Sequence, residues 1–132
     1  MSLQWRKEMS TGLEWQDEQH QQIFIRIDQL LEAMRHSAGR GVVKDLLDFL
    51  GTYAHDHFKD EEEYMLAHNC STYAEHKKVH DDFVEQLHEL VELYNKQGAS
   101  TVVVMRLQGW MRDWLIQHIM NVDKKMALTC TP

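Results

Sequence analysis

Apolar residues recur at steps of three and four through most of the chain, the period of helices with one buried face. From about Glu14 the stripe runs through His20, Ile23, Phe24, Ile27, Leu30, Leu31 and Met34, and ends at the turn His36-Ser37-Ala38-Gly39-Arg40-Gly41. A second stripe, from about Val42 to Leu66, carries Val43, Leu46, Leu47, Leu50, Tyr53, Ala54, His57, Glu61 and Met65. A third is predicted to start near Thr72, where Thr72 and Glu75 have the form of a capping box, and continues through His76, His80, Phe83, Leu87, Leu90, Val91 and Tyr94. After the turn Asn95–Ser100, a fourth places Val103, Leu107, Trp110, Met111, Trp114, Leu115, His118 and Ile119 on one face and runs towards Leu128. Ahead of all four, an irregular segment offers Trp5 and Leu13 as apolar plugs and Gly12 as a break. Four long helices joined by short turns predict an all-α, up-down-up-down antiparallel four-helix bundle, one domain spanning residues 1–132.

Several histidines lie on these apolar faces. His57 and Glu61 form HxxxE and His76 and His80 form HxxxH, so each pair sits one turn apart and aims two donor atoms at a common point. In an up-down-up-down bundle the start of the first helix, the end of the second, the start of the third and the end of the fourth share one end of the molecule. His20, His57, Glu61, His76, His80 and His118 then fall at roughly one level, within a turn or so at ~1.5 Å rise per residue. His36, His55, His68 and His88 lie off this arrangement and read as ordinary polar residues, and Glu62, Glu63, Asp81 and Asp82 as a solvated face. Five inward histidines with a carboxylate are too many for one tetrahedral zinc and suit two metals held close together. Imidazole with carboxylate favours iron, manganese or zinc, whereas calcium and magnesium take all-oxygen cages.

Composition narrows the function classes. The chain has 14 Lys+Arg against 21 Asp+Glu, a net charge of -7, and no basic stripe, which argues against nucleic acid as a partner. No apolar run is long enough for a membrane span or a signal peptide, so a cytoplasmic location is expected. The two cysteines, Cys70 and Cys130, match no disulfide framework or metal spacing and are expected to be free thiols in a reducing compartment.

The segments DEQH (Asp17 to His20), HFKDE (His57 to Glu61), HKKVH (His76 to His80) and WLIQHIMNVD (Trp114 to Asp123), with Gly12 and Leu13 ahead of them, resemble the hemerythrin family, above all its bacterial single-domain members. The resemblance implies two iron ions joined by an oxo or hydroxo bridge, one held by His76, His80 and His118, the other by His20 and His57, with Glu61 and Asp123 bridging. Asp123 comes from the resemblance alone: five residues after His118 it lies about 140° round an ideal helix, and a bulged turn or an offset bridging position would be needed to bring it in. The implied activity is reversible dioxygen binding by a carrier, store or delivery protein and not an enzyme, in an apolar pocket of Phe58, Trp114, Leu115 and Ile119. An oxygen or redox sensor and a di-iron oxidase or peroxidase are the alternatives, and the resemblance leaves any protein partner unknown. Two departures stand out. Ser71 replaces a usual proline, which predicts a looser turn before the third helix, and Met126 replaces a tyrosine found in many members, which removes a hydrogen-bond donor near the irons.

Overall fold

The structure is a computed structural model that describes residues 4–37 and 40–130. It is an all-α four-helix bundle: α1 (Glu14–Ser37), α2 (Arg40–Ala67), α3 (Tyr73–Gln97) and α4 (Thr101–Gln117), the last continued by a π-helical segment (His118–Asp123) and a short α5 (Lys124–Thr129). Each of α1 to α3 packs against the next helix in the chain. The first turn, at residues 38 and 39, lies outside the described residues.

The predicted stripes are the buried faces. Ile27, Val43, Leu46, Leu50, Phe83, Val103 and Leu107 are wholly enclosed in the main core. Each contributes about 1.5–3 kcal/mol on burial, a driving force for gathering the helices that involves no metal. A second, smaller cluster of Met65, Cys70 and Met126, flanked by Leu13, Trp15, Tyr64, Tyr73 and Cys130, closes the bundle at the end of α2 and the start of α3.

Four local expectations are revised. The N-terminal segment has a deeper plug than the two expected: Met9 is buried at the end of a single 3-10 turn (Lys7–Met9), while Trp5 and Leu13, half-buried, pack against the core clusters as expected. Gly12 does make the break, with φ +87°. Ser10 Oγ, the Thr11 backbone N–H and Thr11 Oγ1 all donate to the Asp17 carboxylate (2.5, 2.8 and 3.1 Å), which fastens this segment to α1. Thr72 does not form a capping box: its side chain makes no cap hydrogen bond and its hydroxyl pairs with that of Thr129 at 3.1 Å, because α5 lies close enough to compete for it. The turn after α2 is not loose. Asn69 takes the left-handed conformation (φ 50°) and the Cys70 N–H donates to the Met65 carbonyl at 3.0 Å, a Schellman closure with asparagine in place of glycine.

The fourth revision concerns the cysteines. Cys70 and Cys130 form a disulfide across a sequence separation of 60, tying the α2–α3 turn to the end of α5. The topology that puts the histidines at one end also puts Cys70 and Cys130 there, which their spacing in sequence conceals. Paired in this way, Cys70 and Cys130 are not free thiols and give no sign of a reducing compartment. Among the described residues no helix is long and apolar enough to cross a membrane.

Candidate metal centre

The structure brings all seven predicted donors together at one end of the bundle, each of them buried. His20 comes from the second turn of α1, His57 and Glu61 from the last three turns of α2, His76 and His80 from the start of α3, and His118 and Asp123 from the two ends of the π segment. The π segment accounts for Asp123. Its wider turn, with hydrogen bonds closing over five residues rather than four, puts residues five apart on one face and aims both ends of the segment inward.

The two carboxylates divide the donors into two groups. Glu61 Oε1 lies 3.0, 3.2 and 3.9 Å from Nε2 of His80, His76 and His118, and Oε2 lies 2.9 and 3.5 Å from Nε2 of His57 and His20. Asp123 Oδ1 faces His118 and His76 at 2.9 and 3.3 Å, and Oδ2 faces His20 at 2.9 Å. Glu61, His76, His80, His118 and Asp123 thus form one set whose ligand atoms all lie within 4.8 Å of one another, and His20, His57, Glu61 and Asp123 form the other. The carboxylates belong to both.

Most of these atoms approach without hydrogen-bonding. Nε2 of His20, His57, His80 and His118 and both Asp123 oxygens are buried with no hydrogen-bond partner among the described residues. Buried polar groups left this way are costly unless something fills the space between them. Inward lone pairs of nitrogen and oxygen with shared carboxylates fit two transition-metal cations, one per set. The outer nitrogens of two histidines are fixed: His57 Nδ1 lies 2.6 Å from Gln19 Oε1, and His80 Nδ1 lies 2.8 Å from Glu62 Oε2. Donation from Nδ1–H to these oxygens leaves each Nε2 lone pair directed at the centre. Glu62 is therefore not part of a solvated face, as its polar neighbours suggest. It is half-buried and orients His80. Glu63, Asp81 and Asp82 are exposed as expected, as are His55 and His88, whereas His68 is half-buried with its Nδ1 2.9 Å from the Tyr64 carbonyl oxygen. The side chain of His36 lies outside the described residues.

Without metal, protons take the cations' place. Burial acts to lower the pKa of His20 and of His76, but Asp123 and Glu61 overcome it and raise both to about 9. His118 is raised too, against burial, by Asp123 and then Glu61. Burial works to raise the Glu61 carboxyl, yet the charge of His57 and its contacts with His118 and His20 hold it well below the usual range. Asp123, pushed up by burial and by Glu61, is likewise held far down by His118 and His20.

Aromatic rings wall the centre. Phe58 stacks on His80 with ring centroids 3.7 Å apart and planes within 5°, and Trp114 stacks on His118 at 4.3 Å and 12°. Leu115 and Ile119 are wholly buried beside them. Phe83 and Tyr53, which their apolar stripes mark only as core, belong to this wall too: Phe83 meets Phe58 at 5.3 Å and Trp114 at 4.5 Å. Tyr53 stacks on His57 at 5.1 Å, and its hydroxyl is buried with no partner among the described residues. Gln16 was missed as well. It is fully enclosed and donates from Nε2 to Glu61 Oε2 at 2.7 Å. The signal was available, since Gln16 lies one turn before His20 on the buried stripe of α1.

The profile of a family described as "Hemerythrin HHE cation binding domain" matches residues 11–128, an interval that holds every one of these donors. The chain belongs to the hemerythrin family. A bacteriohemerythrin of Methylococcus capsulatus is 32% identical over 117 residues, 89% of this chain and 87% of that protein. A hemerythrin-like protein of Naegleria gruberi is 33% identical over 121 residues (92% and 87%), and a myohemerythrin of Theromyzon tessulatum 30% identical over 122 residues (92% and 88%). Membership of the hemerythrin family makes this a cation-binding domain, in accord with the buried cluster of histidines and carboxylates.

Proposed function

We propose that the chain binds dioxygen reversibly at two iron ions, as a carrier, store or delivery protein. His76, His80 and His118 hold one ion and His20 and His57 the other, with Glu61 and Asp123 shared. The observation that carries this reading is the inequality of the two donor sets: five residues surround one position and four the other. The first set would offer an ion three imidazoles and two carboxylates and the second two imidazoles and two carboxylates, so the ion beside His20 and His57 would have fewer protein donors and more room for an outside ligand. A ferrous pair supplies the two electrons that dioxygen takes up and returns. The protein's part is to keep that exchange reversible. Phe58, Trp114, Leu115 and Ile119 offer hydrocarbon where water or a proton donor would drive oxidation to completion. The outer hydrogen bonds from His57 to Gln19 and from His80 to Glu62 hold the imidazoles in place, so electron transfer needs little rearrangement.

One observation favours a di-iron oxidase or peroxidase as a second reading. The Tyr53 hydroxyl, buried against His57 with no partner among the described residues, is a hydrogen-bond donor within an otherwise apolar wall, although burial, Glu61 and Asp123 hold its proton more tightly than in a free tyrosine. Metal analysis and optical spectra separate these readings. Two irons per chain, with a charge-transfer band that forms in air and disappears when oxygen is removed, is the result expected of a carrier. Irreversible oxidation on first exposure to air would overturn it in favour of an oxidase, a peroxidase or a redox sensor.

A further inference from the structure

Glu61, like Asp123, belongs to both donor sets, and among the described residues one side chain outside those sets donates to it. Gln16 Nε2 lies 2.7 Å from Oε2, the oxygen turned towards His57 and His20, and 3.8 Å from the Met126 thioether. A carboxylate oxygen only accepts, so the amide must turn its NH2 to Glu61. Gln16 Oε1 is then left facing away, and it is buried with no partner among the described residues. An apolar side chain at position 16, against Met126 and beside the Met65 and Cys70 cluster, would fill the space without stranding a carbonyl. An amide kept there at such a cost has a purpose beyond packing.

We infer that Gln16 is a positioning residue that holds the Glu61 carboxylate in its bridging orientation and, by donating to Oε2 alone, makes the two oxygens unequal. The inference rests on the reading of the centre as a di-iron site. A hydrogen bond to one oxygen draws negative charge from it and weakens its donation to whatever ion lies beside His20 and His57. Oε1, facing His76, His80 and His118, carries no such bond from Gln16. The position with fewer histidines is thereby also the one with the poorer carboxylate donor, which favours the ferrous state there and slows irreversible loss of electrons. Gln16 also restores a donor on the side where Met126 stands in place of tyrosine.

The test is the midpoint potential of the iron-loaded protein and of its Gln16→Leu variant, determined anaerobically by spectroelectrochemistry. Loss of a hydrogen bond to a charged acceptor shifts the ferrous-to-ferric balance by about tenfold towards ferric, a fall of about 60 mV for one electron, with two irons still bound. Gln16→Asn, whose amide is one methylene too short to reach, is expected to fall in the same direction and decides the matter should the leucine variant fold poorly. Gln16→Leu/Met126→Tyr, which returns a donor from across the contact, is expected to recover much of the loss. Unchanged potentials in folded, two-iron Gln16 variants would overturn the inference while leaving the di-iron reading intact. A wild-type protein that takes up no iron would remove that reading itself.

Discussion

Chelating the metal and raising the pH tests the electrostatics of the centre directly. In the metal-free protein the pKa of His20 and of His76 stands at about 9, against 6.5 for the free side chain. A raised pKa means that the folded state holds a proton the unfolded chain releases, so the stabilisation is complete below about pH 6.5 and is lost as pH rises through about 9. At 1.36 kcal/mol per unit, each histidine carries roughly 3 kcal/mol. Because both share Glu61 and Asp123 the two are not additive, and a combined loss of about 3–6 kcal/mol is expected, a large part of the 5–15 kcal/mol typical of a domain. Urea denaturation followed by circular dichroism at pH 6.5, 8 and 10 would show a helical apo-protein whose midpoint falls steadily with pH. The loaded protein should behave oppositely, since metal requires neutral imidazole: its stability should hold at high pH and fail as acid returns protons to the ligands. An apo-protein equally stable at pH 6.5 and 10 would refute the protonated-histidine account and with it the claim that the donors converge closely when empty.

Other expectations follow from the same geometry. His76→Ala should lower iron content far more than His88→Ala, because His88 is exposed and belongs to neither donor set; equal iron in the two variants would undo the assignment. Leu115→Ala should bind oxygen with unchanged iron content but autoxidise faster, whereas a side chain that is ordinary core would show only a lower melting temperature, with a cavity cost of ~2–5 kcal/mol. Cys70→Ser should destabilise by roughly 4 kcal/mol, the loop-closure value for 60 residues; thermal melts with and without reductant check it, and a wild-type melt insensitive to reductant would argue against the disulfide.

The fold and the convergence of six donors were legible because both depend on period and topology. Apolar steps of three and four fix which face of a helix is buried, and short turns fix which helix ends are neighbours. His20, His57, Glu61, His76, His80 and His118 need nothing more. Asp123 was legible only through resemblance, since its place depends on a local change of helical pitch that no periodicity announces. Glu62 and Thr72 were misjudged because their partners, His80 and Thr129, come from other helices, and a composition of polar neighbours cannot say which polar residue turns inward. The cysteines failed for the opposite reason. Their sequence spacing was weighed, while the topology already used for the histidines would have placed them together.

The π segment has a consequence for comparing chains. It is a helix carrying one residue more than its length requires, and that surplus lies between His118 and Asp123. Deleting any single residue from 119 to 122 would let the segment relax to an ordinary α-helix with its hydrogen bonds intact, and would place the aspartate four residues after His118, about 40° round the helix and still on its face. Such a chain would keep five histidines and both carboxylates turned inward, with His118 and the aspartate as an HxxxD pair spaced like His57 and Glu61. A one-residue gap at this place in an alignment is therefore compatible with an intact centre, whereas the same gap in plain α-helix between two donors, such as His76 and His80, would turn one of them away by about 100°.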